Sequence, residues 1–411
     1  MITENDVKFF LNQHNYDVRI SKNGRWIDQK CTMDVTSAIA DFIYNYYIDT
    51  QKTEFSSRDI WYSPYAKENV ESVFKKPNLE DDKSKNEYDK FFQQPMEMLA
   101  NAGVLQKSKK GNMNIYTIKH LDILEYIALR EKNALNFIKL YVEKVIKDSG
   151  LENVFDIFFN QQNKENFQRL KSAFSQFIIA HTKINGTTEC NRIFTKVLNP
   201  LAYFKNSKGT EKGRISKDII TLDVLMYNRP NFRDILSHKP KNITRKEYEP
   251  NKKEKDLEEA YRQYQIKKAS NFLRLFNEQY RNSKTEHLDG IHERDTATQM
   301  HHIFPQADYP EIAALIENLI ALTPTQHLSY AHPENNTHEI DEQYQHLLLL
   351  SKSARIEENL LGKVGDEAIY NFDDFITVLQ IGFNDNSVCE IENMNFKQVN
   401  NAINFHYNSI R

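Results

Sequence analysis

The chain has 411 residues, 40% hydrophobic and 12% aromatic, and its 54 Lys+Arg against 57 Asp+Glu leave a formal charge of −3. That is apolar material for two or three cores at roughly 150 residues per domain, and too even a balance for a histone-like or membrane-coating protein. Three separated cysteines, Cys31, Cys190 and Cys389, exclude a disulfide framework or a Cys-paired zinc module and fit a reducing compartment.

In chain order, the start MITENDVKFFLNQHN is acidic and polar, without the basic-then-apolar layout of a secretory signal. No run approaches the roughly 20 apolar residues of a membrane span, so a cytoplasmic chain with no membrane partner is expected. Val35, Ile39, Phe42, Ile43 and Tyr46 recur at helical spacing behind a Thr32 or Asp34 cap, which predicts an amphipathic helix to Asp49. A short helix can start at Ser56 or Ser57, and a third segment runs from Asn86 to Gly103 with Pro95 marking a kink or a boundary between two helices. The period then changes from helix to strand: VLQKS, a Lys-Lys-Gly-Asn turn at 109–112, and NIYTIK. Three helices and a basic hairpin resemble a winged helix, so residues 1–120 are expected to be a winged-helix-like DNA-recognition domain. Lys107, Lys109, Lys110 and Lys119 would meet phosphates, while Asn112, Asn114, Gln93 and Gln94 would reach base edges. A merely solvated basic face is the alternative.

Residues 121–282 read as a helical linker and dimerisation region, punctuated by lysine-rich loops at 205–217 and 239–255, with no internal repeat and with a long charged helix from about Asp256 to Asn282. The segment 283–345 carries the chemistry, and 346–411 reads as a C-terminal helical segment. Met300–Phe304 predicts a strand, Pro305–Glu317 a loop, Asn318–Leu322 a second strand, and Thr323 caps a helix with Pro324 at its first position, running to about Ala331. The fold class expected for the whole is mainly α with small α+β parts.

His301 and His302 are neighbours on a strand, so their side chains point to opposite sides and cannot share one task. Phosphodiester hydrolysis needs a base for water and a cation over the phosphate. One imidazole can serve as general base while two others hold a divalent metal. On that division His301 and His327 hold the metal, His302 takes the proton from water, and Asn318 fixes His302 or the intervening loop.

These residues resemble a family, the HNH or ββα-metal nucleases: His301-His302 with Ile303 and Pro305 after them, Glu317-Asn318-Leu319, Leu322, and His327 nine residues after the Asn. The His-His form with Thr-Pro before the last His is similar to the nuclease domains of bacterial DNase toxins. There a further His follows at four residues, whereas here His332 follows at five, which leaves it open between a third ligand and a helix-end residue. Other members brace the fold with two Cys pairs around zinc. Thr323 and Gln326 occupy the positions of the second pair here, so no structural zinc is implied. The match covers about forty residues, roughly a tenth of the chain.

Upstream, Arg294 would clamp a phosphate or sit in a solvated turn, and His338 and His346 have no partner pattern. The resemblance implies one divalent ion per site, Mg²⁺ or Mn²⁺ first and Zn²⁺, Ni²⁺ or Ca²⁺ after them. With a base-reading domain it implies an HNH-type type II restriction endonuclease acting on double-stranded DNA as a homodimer, beside a cognate DNA methyltransferase. A toxin, a nickase, or a DNA-binding regulator whose metal is structural are the alternatives.

Overall fold

The computed structural model describes residues 2–74, 85–227, 252–292, 295–332, 340–362, 364–365 and 367–409. The chain is mainly helical with small antiparallel sheets, and it divides into two compact units, Ile2–Glu258 and Glu259–Arg411. The divisions expected at 120 and 345 are therefore not unit boundaries. Within the first unit, the helix predicted after Thr32 packs on helices that follow residue 120. Within the second, the turn that follows the second strand of the chemistry-bearing segment packs on a helix that crosses residue 345.

The first unit opens with α1 (Glu4–Asn12) and α2 (Val18–Ser21), then α3 (Met33–Thr50), the helix that the periodicity predicts. Val35, Ile39, Phe42 and Ile43 on α3 are fully buried. A three-residue strand, β1 (Glu54–Ser56), follows, and Ser56 closes a capping box with Asp59 at the start of α4 (Ser57–Trp61). Next come α5 (Pro64–Phe74) and α6 (Lys85–Asn101), then the hairpin of β2 (Leu105–Lys110) and β3 (Met113–Ile118). β1 joins β3, giving the order β1-β3-β2. Pro95 does not divide α6. Tyr88, Phe91 and Phe92 before it and Met96, Met98 and Leu99 after it are all buried, and that packing offsets the hydrogen bond lost at the proline.

α7 (Leu121–Leu129), α8 (Glu131–Asp148), α9 (Glu152–Asn160), α10 (Lys164–His181) and α11 (Thr187–Phe204) make the helical stretch that was expected. The segment read as a lysine-rich loop is a second hairpin, β4 (Lys208–Glu211) with β5 (Arg214–Ile219), followed by α12 (Leu222–Leu225). Its turn is Lys212-Gly213, both at positive φ (49° and 77°), the pair of left-handed residues that matches the twist of a two-residue hairpin. The other basic loop, 239–255, lies outside the described residues up to 251.

α13 (Lys252–Arg281) carries the unit boundary. The second unit then holds β6 (Gln299–His302) antiparallel to β7 (Leu319–Leu322), and the helices α14 (Glu342–Leu360), α15 (Phe372–Phe383) and α16 (Phe396–Ser409). All four residues of β7 are buried, so the hairpin sits in the core of this unit. Its outer edge is held by Glu286. The Glu286 N–H donates to the Ala321 carbonyl (2.8 Å) and its carboxylate accepts the Ala321 N–H (2.7 Å). Arg281 (2.5 Å) and Lys352 (3.5 Å) supply countercharge, and Tyr370 adds a hydroxyl donor (3.2 Å). Burial alone would raise the Glu286 carboxyl, but Lys352 and Arg281 outweigh it and hold the group below its usual value.

Candidate metal centre

β6 pairs His301 with Ile320 and His302 with Leu319, and the strand pleat sends the two imidazoles apart as expected. His301 is 3% exposed and turns inward, where its ring meets those of His327 and His332 at centroid distances of 5.2 and 5.1 Å. The His327 and His332 rings are 4.9 Å apart, and the three rings stand near-perpendicular to one another. One ring nitrogen of each lies within 4.8 Å of the other two, and among the described residues this is the group that can hold a metal ion.

Two observations bear on whether the group suits an ion. His301 Nε2 and His327 Nδ1 are buried and have no hydrogen-bond partner, an arrangement that costs free energy unless something fills it. Burial, and then the neighbouring imidazoles, push the His301 pKa well below its usual value; burial and His332 lower that of His327. Both rings are therefore neutral and carry free lone pairs, the form that ligates a metal. Three imidazole donors suit transition ions such as Zn²⁺ and Ni²⁺ better than Mg²⁺ or Mn²⁺, which prefer oxygen ligands.

The helix expected over Pro324–Ala331 is wound differently. After Pro324-Thr325 the chain takes a π-helical turn, Gln326–Ala331, and His332 follows it directly. That winding answers the five-residue spacing, since i and i+5 stack in a π turn whereas an α-helix stacks i and i+4. His332 is a member of the cluster.

His302 faces the other way, into the loop between the strands. Its Nε2 lies 3.0 Å from the Ala313 carbonyl oxygen. A carbonyl only accepts, so Nε2 carries the proton and Nδ1 of the neutral ring keeps its lone pair. Burial lowers the His302 pKa and the Ala313 bond opposes that shift.

Asn318, fully buried, bonds to the loop and not to His302. Its Oδ1 accepts the Phe304 N–H (2.9 Å) and its Nδ2 donates to the Phe304 carbonyl (3.0 Å), while the Ile303 N–H donates to the Asn318 carbonyl (2.9 Å). These bonds close the loop that carries Ala313, so of the two positioning roles expected for Asn318 it takes the one on the loop. Gln345 adds a bond to the Ile303 carbonyl (2.7 Å).

Thr323 and Gln326 form a reciprocal capping box: the Gln326 N–H reaches Thr323 Oγ1 (3.1 Å) and the Thr323 N–H reaches Gln326 Oε1 (3.2 Å). The Gln326 amide also receives Thr285 Oγ1 (2.5 Å) and donates to the His287 carbonyl (3.1 Å) and Asp289 (2.8 Å). Hydrogen bonds thus tie the start of the histidine-bearing turn to residues 285–289. Sequence reading missed the role of Gln326, although its Thr-x-x-Gln spacing is a capping signature. It had no means of finding the Ala313 carbonyl, because any residue offers one.

Arg294 and His338 lie outside the described residues. His346 bonds Asn404 (2.8 Å) and stacks on Tyr407, a packing role. In the first unit, Lys109, Lys110 and Asn112 are exposed at the end of the β2–β3 hairpin, as a phosphate-facing wing requires. Lys107, however, pairs with Glu97 (2.7 Å), which also accepts the Tyr116 hydroxyl. Gln94 accepts the Lys30 N–H and Gln93 donates to Asp89, so both amides expected to reach bases are already engaged.

No known family, curated protein or solved structure matches the chain.

Proposed function

We propose that the chain is a metal-dependent endonuclease acting on double-stranded DNA. The observation that carries the reading is the division of labour around β6: His301, His327 and His332 gather their ring nitrogens on one side, with His301 Nε2 and His327 Nδ1 buried and unpartnered, and His302 presents Nδ1 on the other. His301, His327 and His332 would hold a divalent ion, which when bound would supply positive charge that stabilises the reacting phosphate. His302 Nδ1 accepts a proton from water as the water oxygen bonds to phosphorus and the bond from phosphorus to the leaving sugar oxygen breaks. The Ala313 carbonyl fixes the tautomer and direction of that base, and Asn318 fixes the loop that bears Ala313.

The strand–loop–strand–turn order here is that of a ββα-metal site. The helices and three-stranded β1-β3-β2 sheet of the first unit have the order of a winged helix. A base-reading module with such a site supports the type II restriction endonuclease reading, with a homodimer to cut both strands and a protective methyltransferase as companion. The donor set favours Ni²⁺ or Zn²⁺ over Mg²⁺ or Mn²⁺ as the ion.

The test is to incubate the purified chain with plasmid and unmodified genomic DNA in each of these ions, beside His302→Ala. Cleavage by wild type, lost by at least about a hundredfold in His302→Ala, is expected for removal of a general base. Intact DNA in every ion, or equal cutting by the variant, would refute the reading.

A further inference from the structure

We propose that the first unit carries a second DNA-binding module, Glu152–Ile219, whose β4–β5 hairpin is a second wing on the same duplex; this rests on the reading of the chain as a DNA enzyme. The module repeats the first in its order. α9, α10 and α11 precede β4–β5 as α4, α5 and α6 precede β2–β3, and a Leu-Asp-apolar-Leu helix start follows each hairpin (Leu121–Leu124, Leu222–Leu225). The helix before each hairpin has a proline inside it, Pro95 in α6 and Pro200 in α11, and each packs on the first strand of its hairpin.

The charge of the second hairpin points to a polyanion. Residues 205–218 hold five cations against Glu211 and Asp218. Lys212, Arg214 and Lys217 are exposed and make no ion pair among the described residues. Lys171 donates to the Gly213 carbonyl (2.8 Å), adding a sixth cation beside the turn. The helix behind the hairpin differs in the same sense. The solvent side of α6 carries Glu87, Asp89 and Glu97 against Lys85 and Lys90, whereas α11 exposes Arg192 with the single acid Glu189, which pairs with Arg25. The second module is thus the better electrostatic match to phosphates.

The partner is a B-form duplex, because its major groove, about 12 Å wide, admits a helix beside a hairpin, whereas the deep, narrow groove of duplex RNA does not. Two wings on one unit would lengthen the stretch of duplex that one chain contacts.

The test uses the full-length chain in EDTA, so that cleavage cannot interfere, with a labelled 40-base-pair DNA duplex titrated across a salt series. The variants are K212E/R214E/K217E, its neutral counterpart K212Q/R214Q/K217Q, and K109E/K110E in the first wing. Three phosphate contacts at about 0.9 of slope each predict that the neutral triple variant lowers the salt slope by about 2 to 3 and the affinity at least about tenfold, with the reversal variant weaker still. K109E/K110E should leave that loss in place and add its own. Duplex binding by wild type that either triple variant retains within twofold overturns the second module while leaving the nuclease reading standing. Tighter binding to an RNA duplex of the same sequence overturns the choice of partner. Absence of any duplex binding by wild type overturns both.

Discussion

His327 and His332 stand five residues apart, yet both bring a ring nitrogen within 4.8 Å of one on His301. In an α-helix, at about 100° per residue, a side chain five places on would point about 140° away. The wider π-wound turn Gln326–Ala331 reduces that offset, and such turns recur at functional sites. The winding thus brings His332 into the histidine cluster that could hold a metal ion. In a thermal-unfolding series with Ni²⁺ or Zn²⁺, wild type should gain about 2.7 kcal/mol at a hundred times its Kd. His332→Ala should gain less than half of that at the same ion concentration, and His346→Ala, which bonds Asn404, should keep it all. Equal stabilisation of His332→Ala and wild type would remove His332 from the ligand set.

Asn318 is the member of the resemblance whose role the structure narrows most. Its amide makes both of its loop bonds to the Phe304 backbone, and the side chain is fully buried. Asn318→Ala strands a buried N–H and a buried C=O, and each such group costs about 1–3 kcal/mol. The expected loss is therefore about 2–6 kcal/mol in urea unfolding, with amide exchange rising in residues 303–313. Asn318→Asp keeps the acceptor for the Phe304 N–H but sets a carboxylate against the Phe304 carbonyl, so it should sit between the two. Unchanged exchange in that loop would mean that Ala313, and with it His302, is held from elsewhere.

What could be read from the residues was what is encoded locally. Helix α3, the β2–β3 hairpin and the strand–loop–strand–turn order around His301 follow from periodicity, a Gly at a turn and a capped proline, all within a few residues. The β4–β5 hairpin was hidden because lysines mask its two-residue alternation, although Lys212-Gly213 marked its turn. Strand β1 is three residues long and exists only through pairing with β3, some sixty residues on, which no local signal reports. The π winding has no sequence signature of its own. Glu286 and Lys352 look like surface charges until the fold buries both, sixty-six residues apart in the chain.

Glu317 gives a pH dependence that is independent of any ligand. Burial, and then Asp374, push its carboxyl up to about 7 from the usual 4.5, against the Asn371 N–H that it accepts at 2.8 Å. Between about 4.5 and about 7 the folded chain holds a proton there that the unfolded chain has released. The unfolded state binds fewer protons in that window, so this contribution is complete at low pH and is lost as pH rises through it. Glu317→Gln keeps an oxygen for the Asn371 N–H without the titration. Its melting temperature relative to wild type should climb from pH 5 to about pH 7 and level off towards pH 8. A flat difference across that range would mean that Glu317 is ionised in the folded chain at both ends.

Glu286 is the residue on which the edge of β7 depends. It is 1% exposed and is surrounded by Arg281, Lys352, Tyr370 and the Ala321 backbone, so its removal leaves two cations in a dry interior. Breaking a buried pair from one side costs about 3–5 kcal/mol, far more than the intact pair contributes over an apolar replacement. Glu286→Ala is expected to lose that amount in urea unfolding. Adding Lys352→Met should return part of it, because one stranded charge is gone, and the two changes should therefore be non-additive by more than about 1 kcal/mol. Hydrogen exchange gives a local readout, since the Ala321 N–H donates to Glu286 Oε2 and should lose protection in Glu286→Ala while the paired amides between β6 and β7 keep theirs. If Ala321 stays protected and the double change is additive, the cluster is a bystander to the strand rather than its support.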